Sequence, residues 1–165
     1  VSPDGAHVWA TTETSGTVIE LASATGELTN VWDTGQRVSH QLVPTPDGSK
    51  LYIANIGSGS VTVIDRTTNE VTTVPTGAGA EGIDVSPDGT EVWVTNRAAN
   101  TISVIDVATD TVLETFPSGG TLPIRAKFTP DGEEVWISNG RSRSFMRKAA
   151  NCWRRLMSAQ FRSGF

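Results

Sequence analysis

The chain has 165 residues and a net charge of −5, enough for one core of ordinary size. Its 17 Val, 9 Ile and 22 Thr, against 7 Leu and 3 Lys, favour strands over helices, because branched side chains are stiff at χ1 and pack well on a pleated surface. No apolar run approaches the roughly 20 residues of a membrane-spanning helix. One cysteine excludes an intramolecular disulfide and, with two histidines, argues against a structural zinc site.

In chain order, the first feature is Ser2-Pro3-Asp4-Gly5, which returns as Thr45-Pro46-Asp47-Gly48, Ser86-Pro87-Asp88-Gly89 and Thr129-Pro130-Asp131-Gly132. Each copy is followed by an apolar–aromatic pair: Val8-Trp9, Leu51-Tyr52, Val92-Trp93 and Val135-Trp136. In the last three copies that segment ends on Asn55, Asn96 or Asn139, where the first has Thr12. Next come Thr17-Val18-Ile19-Glu20, Val61 to Asp65 and Ile102 to Asp106, which make Glu20 the counterpart of Asp65 and Asp106 at the end of a strand. Pro-Asp-Gly reverses the chain, since proline presets φ, aspartate bonds nearby backbone and glycine accepts positive φ. The third copy then predicts four strands: A over Ile83–Val85, B over Glu91–Asn96, C over Thr101–Asp106 and D over Thr111–Thr115.

A four-stranded sheet repeated about every 40 residues buries both faces only by stacking on its neighbours, and a radial stack is a β-propeller. A β-sandwich supplies short strands without a fixed tetrapeptide at this period. Trp32-Asp33 occurs once, lacks a Gly-His partner and reads as an ordinary strand aromatic. The fold class is therefore all-β, an incomplete β-propeller with a C-terminal basic tail that is helical or disordered. Residues 1–140 form the repeat region, in blades at about 1–43, 44–84, 85–127 and a partial 128–140. The chain opens at Val1 without a basic, apolar leader, and its three and a half blades read as part of a larger gene.

Residues 141–165 hold seven of the 13 basic residues and no Asp or Glu, so that segment carries +7 and residues 1–140 carry −12. Phe145, Ala149, Cys152, Trp153, Leu156, Met157 and Phe161 follow helical spacing. Three readings stand: out-of-frame sequence after a truncated repeat, a cover for the open face of the last blade, and a basic helix on a membrane or nucleic acid.

Ser86-Pro87-Asp88-Gly89, Val92-Trp93-Val94-Thr95-Asn96 and Val104-Ile105-Asp106, in that order and spacing, resemble the YVTN-type β-propeller repeat family. The resemblance covers residues 1 to about 140. It implies commonly seven blades, a periplasmic or extracellular location and an innermost A strand, and related propellers include lactone hydrolases and haem- or quinone-cofactor domains. Fold alone fixes none of these chemistries.

With A innermost, the segments between D and the next A border the channel mouth. Aligned on the tetrapeptide, His40, Glu81 and Ile124 share one column, Gln41, Gly82 and Arg125 the next, and Val43, Asp84 and Lys127 another. Positions that differ between copies are the informative ones, because a repeat keeps what its fold needs. Arg37, His40, Glu81 and Arg125 are the candidate ligand-binding residues; imidazole, carboxylate and guanidinium together suit an anionic or sugar-like ligand, or hydrolysis by a positioned water. The repeated aspartates read as turn formers, Asn55, Asn96 and Asn139 as ties from strand ends to loop backbone, and Asp84 with Lys127 as an ion pair.

No catalytic motif is present: no Gly-x-Ser-x-Gly, no His-Glu-x-x-His, no phosphate-binding glycine loop. The expectation is a non-catalytic binding scaffold without cofactor or metal. The alternative is a lactonase-like hydrolase using His40, Glu81 and Arg125. Expected partners are an unknown protein or small-molecule ligand at the channel mouth and, through open blade faces, other copies; the acidic repeat region argues against nucleic acid.

Overall fold

The computed structural model describes residues 1–140, 142–149 and 152–160. A three-stranded antiparallel sheet comes first: β1 (His7–Thr12), β2 (Thr17–Ala22) and β3 (Leu28–Asp33). Three four-stranded sheets follow. They are β4 (Ser39–Pro44), β5 (Lys50–Asn55), β6 (Ser60–Asp65) and β7 (Val71–Pro75); β8 (Ala80–Val85), β9 (Glu91–Asn96), β10 (Thr101–Asp106) and β11 (Thr111–Pro117); and β12 (Pro123–Phe128), β13 (Glu134–Asn139), β14 (Ser142–Ala149) and β15 (Cys152–Gln160). The described residues contain no helix. Strands pair in sequence order, and β4, β8 and β12 neighbour one another as the inner strands of successive blades. The incomplete all-β propeller expected from the repeat is what forms.

The tetrapeptide makes the turn between the first two strands of a blade. In the second blade Thr45 Oγ1 donates to Asp47 Oδ1 at 2.6 Å and accepts from Lys50 N at 3.1 Å, while Gly48 N bonds Thr45 O at 2.9 Å. Ser86 and Thr129 do the same, with Asp88 and Glu91 N, and with Asp131 and Glu134 N. A hydroxyl residue must therefore open the tetrapeptide. Its glycine takes φ near +70° and lies against the proline of the preceding copy: a Cβ on Gly48 would stand 3.1 Å from Pro3 Cδ, and one on Gly89 3.3 Å from Pro46 Cδ.

The core lies between blades. Trp9, Val18 and Trp32 pack on Leu51, Ile53 and Ile64. Tyr52, Val61 and Val63 pack on Ile83, Val92, Val94 and Ile105. Trp93, Ile102 and Val104 pack on Ala126, Phe128, Val135 and Ile137, with Phe116 and Phe128 edge-on to Trp93 at centroid distances of 5.4 and 5.9 Å. Three interfaces thus repeat one arrangement, an aromatic of one blade against the branched residues of the next. Trp9, Tyr52 and Trp93 are 7%, 0% and 0% exposed, whereas Trp136, in the same column, is 41% exposed.

Strands of neighbouring blades also reach one another through polar groups. Lys50 Nζ and Tyr52 Oη donate to the Asp110 carboxylate at 2.7 and 2.5 Å, and burial, then that carboxylate, push the Tyr52 hydroxyl far above its ordinary range. Asp84 Oδ1 accepts from Lys127 Nζ at 2.9 Å, the expected ion pair, and its Oδ2 accepts from Phe128 N at 2.8 Å. Trp32 is a buried strand aromatic whose Nε1 donates to Asn69 Oδ1 at 3.1 Å.

Two expectations change. Glu20 does not close its strand as Asp65 and Asp106 do: it pairs with Trp9, as Val63 pairs with Tyr52 and Val104 with Trp93, and so occupies a core column two residues earlier. Residues 142–149 and 152–160 are not helical, and Phe161 of the expected helical stripe lies outside the described residues. β14 pairs with β13 and β15 with β14, with Trp136 opposite Phe145 and Phe145 opposite Met157. The open hydrogen-bonding edge of β13 favours an extended partner, whereas an isolated helix of this length is marginal in water.

Candidate active site

The turns between second and third strands and the segments leading into the inner strands meet at one end of the blades. Thr34 N bonds Gly16 O at 2.9 Å, Thr76 N bonds Gly59 O at 3.1 Å, and Ser118 N bonds Asn100 O at 3.0 Å. The Pro-Asp-Gly turns lie at the other end.

Every complete inner strand slips register by one residue at this end. Ser39 pairs with Asn55 but Leu42 with Ile53, leaving His40 and Gln41 opposite Ala54 alone. Ala80 pairs with Asn96 but Ile83 with Val94, which leaves Glu81 and Gly82 opposite Thr95. Pro123 pairs with Asn139 and Arg125 with Ser138, so Ile124 is the extra residue. These are β-bulges, which bend a strand and re-aim a side chain. The column His40, Glu81, Ile124 is therefore the bulge column.

Gly82 makes the third bulge compatible with its neighbour. A Cβ there would stand 2.3 Å from Ile124 O and 2.7 Å from Arg125 Cα, so the inner strands touch backbone to backbone. Thr95, fully buried, holds the loop closed: its hydroxyl accepts from Gly82 N at 2.8 Å and donates to Gly82 O at 3.3 Å. At the corresponding point of the second blade, Gln41 Nε2 reaches across to Ile83 O at 3.1 Å.

Glu81 and Arg125 come together, joined by Arg97. Glu81 is 7% exposed, with Arg97 Nε 3.0 Å from Oε2 and Arg125 Nη1 3.5 Å from Oε1. The Arg97 contact is ionic and not aligned as a hydrogen bond. Two half-exposed guanidiniums thus flank a buried carboxylate that balances part of their charge. His40 sits in a separate contact, its Nδ1 against the Glu13 carboxylate. Among the described residues no hydrogen bond or ion pair joins His40 to Glu81 or Arg125. Arg37 turns away: its Nη2 donates to Gly57 O at 2.8 Å and its N–H to Ser58 Oγ at 2.9 Å, bracing a turn.

Glu13 and Arg97 escape a reading centred on the inner strands. They share a column with Ile56 and Gly140, one residue past the strand-ending Thr12, Asn55, Asn96 and Asn139. That column varies between copies as much as the His40 column does, which is the signal that finds it.

Asn55 and Asn96 tie strands together at this end, but through hydroxyls rather than loop backbone. Asn55 Nδ2 donates to Thr62 Oγ1 at 2.9 Å and Asn96 Nδ2 to Ser103 Oγ at 2.9 Å. Asn55 Oδ1 accepts from Ser39 Oγ at 2.9 Å. The residue equivalent to Ser39 is Ala80, and the buried Asn96 Oδ1 has no hydrogen-bond partner. Ala80→Ser supplies the missing donor at nearly constant volume. It is expected to add about 1 kcal/mol and so raise the melting temperature by roughly 2–4 °C; an unchanged thermal melt rejects this account.

Comparison with known proteins extends these observations. The family model described as "Lactonase, 7-bladed beta-propeller" matches residues 66–148, just over half of the chain, a span that includes Glu81, Arg97 and Arg125. The Kuenenia stuttgartiensis hydrazine synthase structure superposes with a TM-score of 0.90 at 24% identity, over 98% of this chain and 47% of that one. A provisionally assigned 6-phosphogluconolactonase from Bacteroides uniformis superposes with a TM-score of 0.82 at 19% identity, over 95% of this chain and 54% of that one. These two likenesses concern the fold, and the chain spans about half the length of each structure. Comparison with curated proteins finds no match. The expectation of a non-enzymatic scaffold is overturned by the match to a lactonase family, and the propeller kind read from the YVTN-like repeat holds. The chain belongs to the seven-bladed β-propeller lactonase family.

Proposed function

We propose that this chain contributes to the active site of a lactone hydrolase, with His40 as general base and Arg125, assisted by Arg97, as the electrostatic partner of the reacting carbonyl. The lactonase family match carries the reading. The bulges support it, because they lie at the end of the inner strands where His40, Glu81 and Arg125 sit, and Arg97 joins Glu81 there from the turn after β9.

In the reaction, His40 takes a proton from water as the water oxygen adds to the lactone carbonyl carbon. The guanidinium of Arg125 stabilises the oxyanion that forms. Collapse of this intermediate restores the carbonyl and breaks the ring C–O bond, and the departing ring oxygen takes back the proton held by His40. The product is the open hydroxy acid, so lactone plus water balances. Glu81 is not the base here: its carboxylate is engaged by two guanidiniums, and its role is to hold them.

Hydrolysis of five- and six-membered sugar lactones by the 165-residue chain, followed by proton release, tests the reading. His40→Ala is expected to lower kcat by about 10²–10⁴-fold, the usual contribution of a general base. Turnover indifferent to that change, or none in the unaltered chain, rejects the proposal.

A further inference from the structure

We propose that Glu13 is a positioning residue that fixes the tautomer of His40, keeping the proton on Nδ1 and leaving the Nε2 lone pair free to take a proton from water. The inference deepens the hydrolase reading and rests on it for its kinetic consequence; the tautomer itself does not.

The geometry points this way from three sides. Glu13 Oε1 contacts His40 Nδ1, and a carboxylate only accepts, so the nitrogen facing it bears the hydrogen. The contact crosses between blades, because Glu13 follows β1 in the first blade whereas His40 is on the inner strand of the second. From the same first-blade strand, Thr11 Oγ1 donates to His40 O at 2.6 Å. His40 lies in a bulge with no residue of its own opposite in the ladder, so the Thr11 bond holds its backbone and the Glu13 contact sets the direction of its ring.

His7 is a built-in comparison. Its Nδ1 stands 3.4 Å from Glu20 Oε1 without forming a hydrogen bond, and the Glu20 oxygens accept from Trp9, Arg66 and Thr29 instead. Of the two histidines, only His40 has a carboxylate oxygen aligned on its Nδ1.

A neutral imidazole in water favours the Nε2–H form, so the effect is visible. With two histidines in the chain, long-range proton–nitrogen spectra of the 165-residue protein, at a pH where imidazole is neutral, resolve both rings, and His7→Gln assigns them. The expected result is the Nδ1–H pattern for His40, reversal to Nε2–H in Glu13→Ala, and retention of Nδ1–H in Glu13→Gln, whose amide oxygen still accepts. On lactone substrates, Glu13→Ala is expected to lower kcat by roughly tenfold or more with KM unchanged, and Glu13→Gln to keep most of the rate.

An Nε2–H pattern in the unaltered protein, or a pattern unmoved by Glu13→Ala, overturns the proposal. So does a tautomer that reverses while kcat stays constant, since Glu13 then orients a ring the reaction does not use. Absence of turnover in the unaltered chain rejects the hydrolase reading, and the spectra still decide the tautomer.

Discussion

Glu20→Ala is expected to lower the stability of the chain by about 3–5 kcal/mol, the cost of leaving a buried charge without its partner. Glu20 is 6% exposed, and its Oε2 accepts from Trp9 Nε1 at 2.7 Å and from Arg66 Nε and Nη2 at 3.0 and 2.8 Å. Arg66 belongs to the next blade and also lies 4.8 Å above the Trp9 ring, so one carboxylate ties two blades by charge and by stacking. Removing it strands a guanidinium and an indole N–H at the same time.

Glu20→Val places the residue type of Val63 and Val104 in the column, and alone it is expected to cost nearly as much. Glu20→Val with Arg66→Leu should recover most of the loss, because replacing both members of a buried pair by apolar groups is often close to neutral. Denaturant unfolding of the four proteins checks this; additive losses would show that the pair does not act as a unit.

The same group makes an acid prediction. Burial opposes ionisation of Glu20, but the hydrogen bonds from Trp9, Arg66 and Thr29 outweigh it and hold the carboxyl below its ordinary 4.5. A group depressed in the folded state stabilises fully above its unfolded value, and that contribution is lost as pH falls through the folded one. The difference in stability between the unaltered chain and Glu20→Gln should therefore shrink as pH drops below about 4.5.

Gly82→Ala is the second large effect. The added methyl would meet backbone rather than a side-chain tip, at 2.3 Å from Ile124 O, so relief requires the third and fourth blades to separate at the mouth. We expect a loss of about 3 kcal/mol or more, which is roughly 6–12 °C in melting temperature for a chain of this size. Gly26→Ala is the control: Gly26 has φ +72° with nothing within 4 Å, so it reads left-handed strain alone, about 1–2 kcal/mol. Equal melts for the two variants would mean that the close approach at Gly82 yields without cost. Because Arg125 Cα is the second atom met, Gly82→Ala should also weaken lactone turnover beyond what the melt predicts.

The tetrapeptide made the fold legible because its residues divide the mechanics of the turn among them, as hydroxyl cap, preset φ, turn acceptor and positive φ. Alternation then marked the strands. Glu20 was misread because matching strands by their acidic ends concealed a shift of two residues, whereas its pairing with Trp9 places it in the Val63 column. The helical spacing of the basic segment after residue 140 is a local pattern, and the β13 edge that pairs with β14 is a tertiary feature.

The site was half legible. Copy-to-copy variation marked His40, Glu81 and Arg125, but not which of them touch. Glu13 and Arg97 lie on turns whose convergence with the inner strands depends on how blades stack. Arg37 varies like a ligand residue and yet commits its hydrogen bonds to a turn. The lactonase family membership had no local motif to announce it, since the candidate site draws single residues from separate repeats.

The one-residue slips at the start of the inner strands carry a consequence for how such a protein diversifies. Side chains at 40 and 124 are half-buried and hang from bulged backbone outside the regular ladder, whereas Glu81 in the same column is buried beneath two guanidiniums. The ladder a few residues further along is unbroken. Exchanges at 40 and 124 alter the chemistry presented to solvent without disturbing the assembly that carries it. Saturating codons 40 and 124 together, with Glu81 kept, should yield a large share of folded variants with different ligand preferences, the separation of chassis from payload that a designer would otherwise have to build.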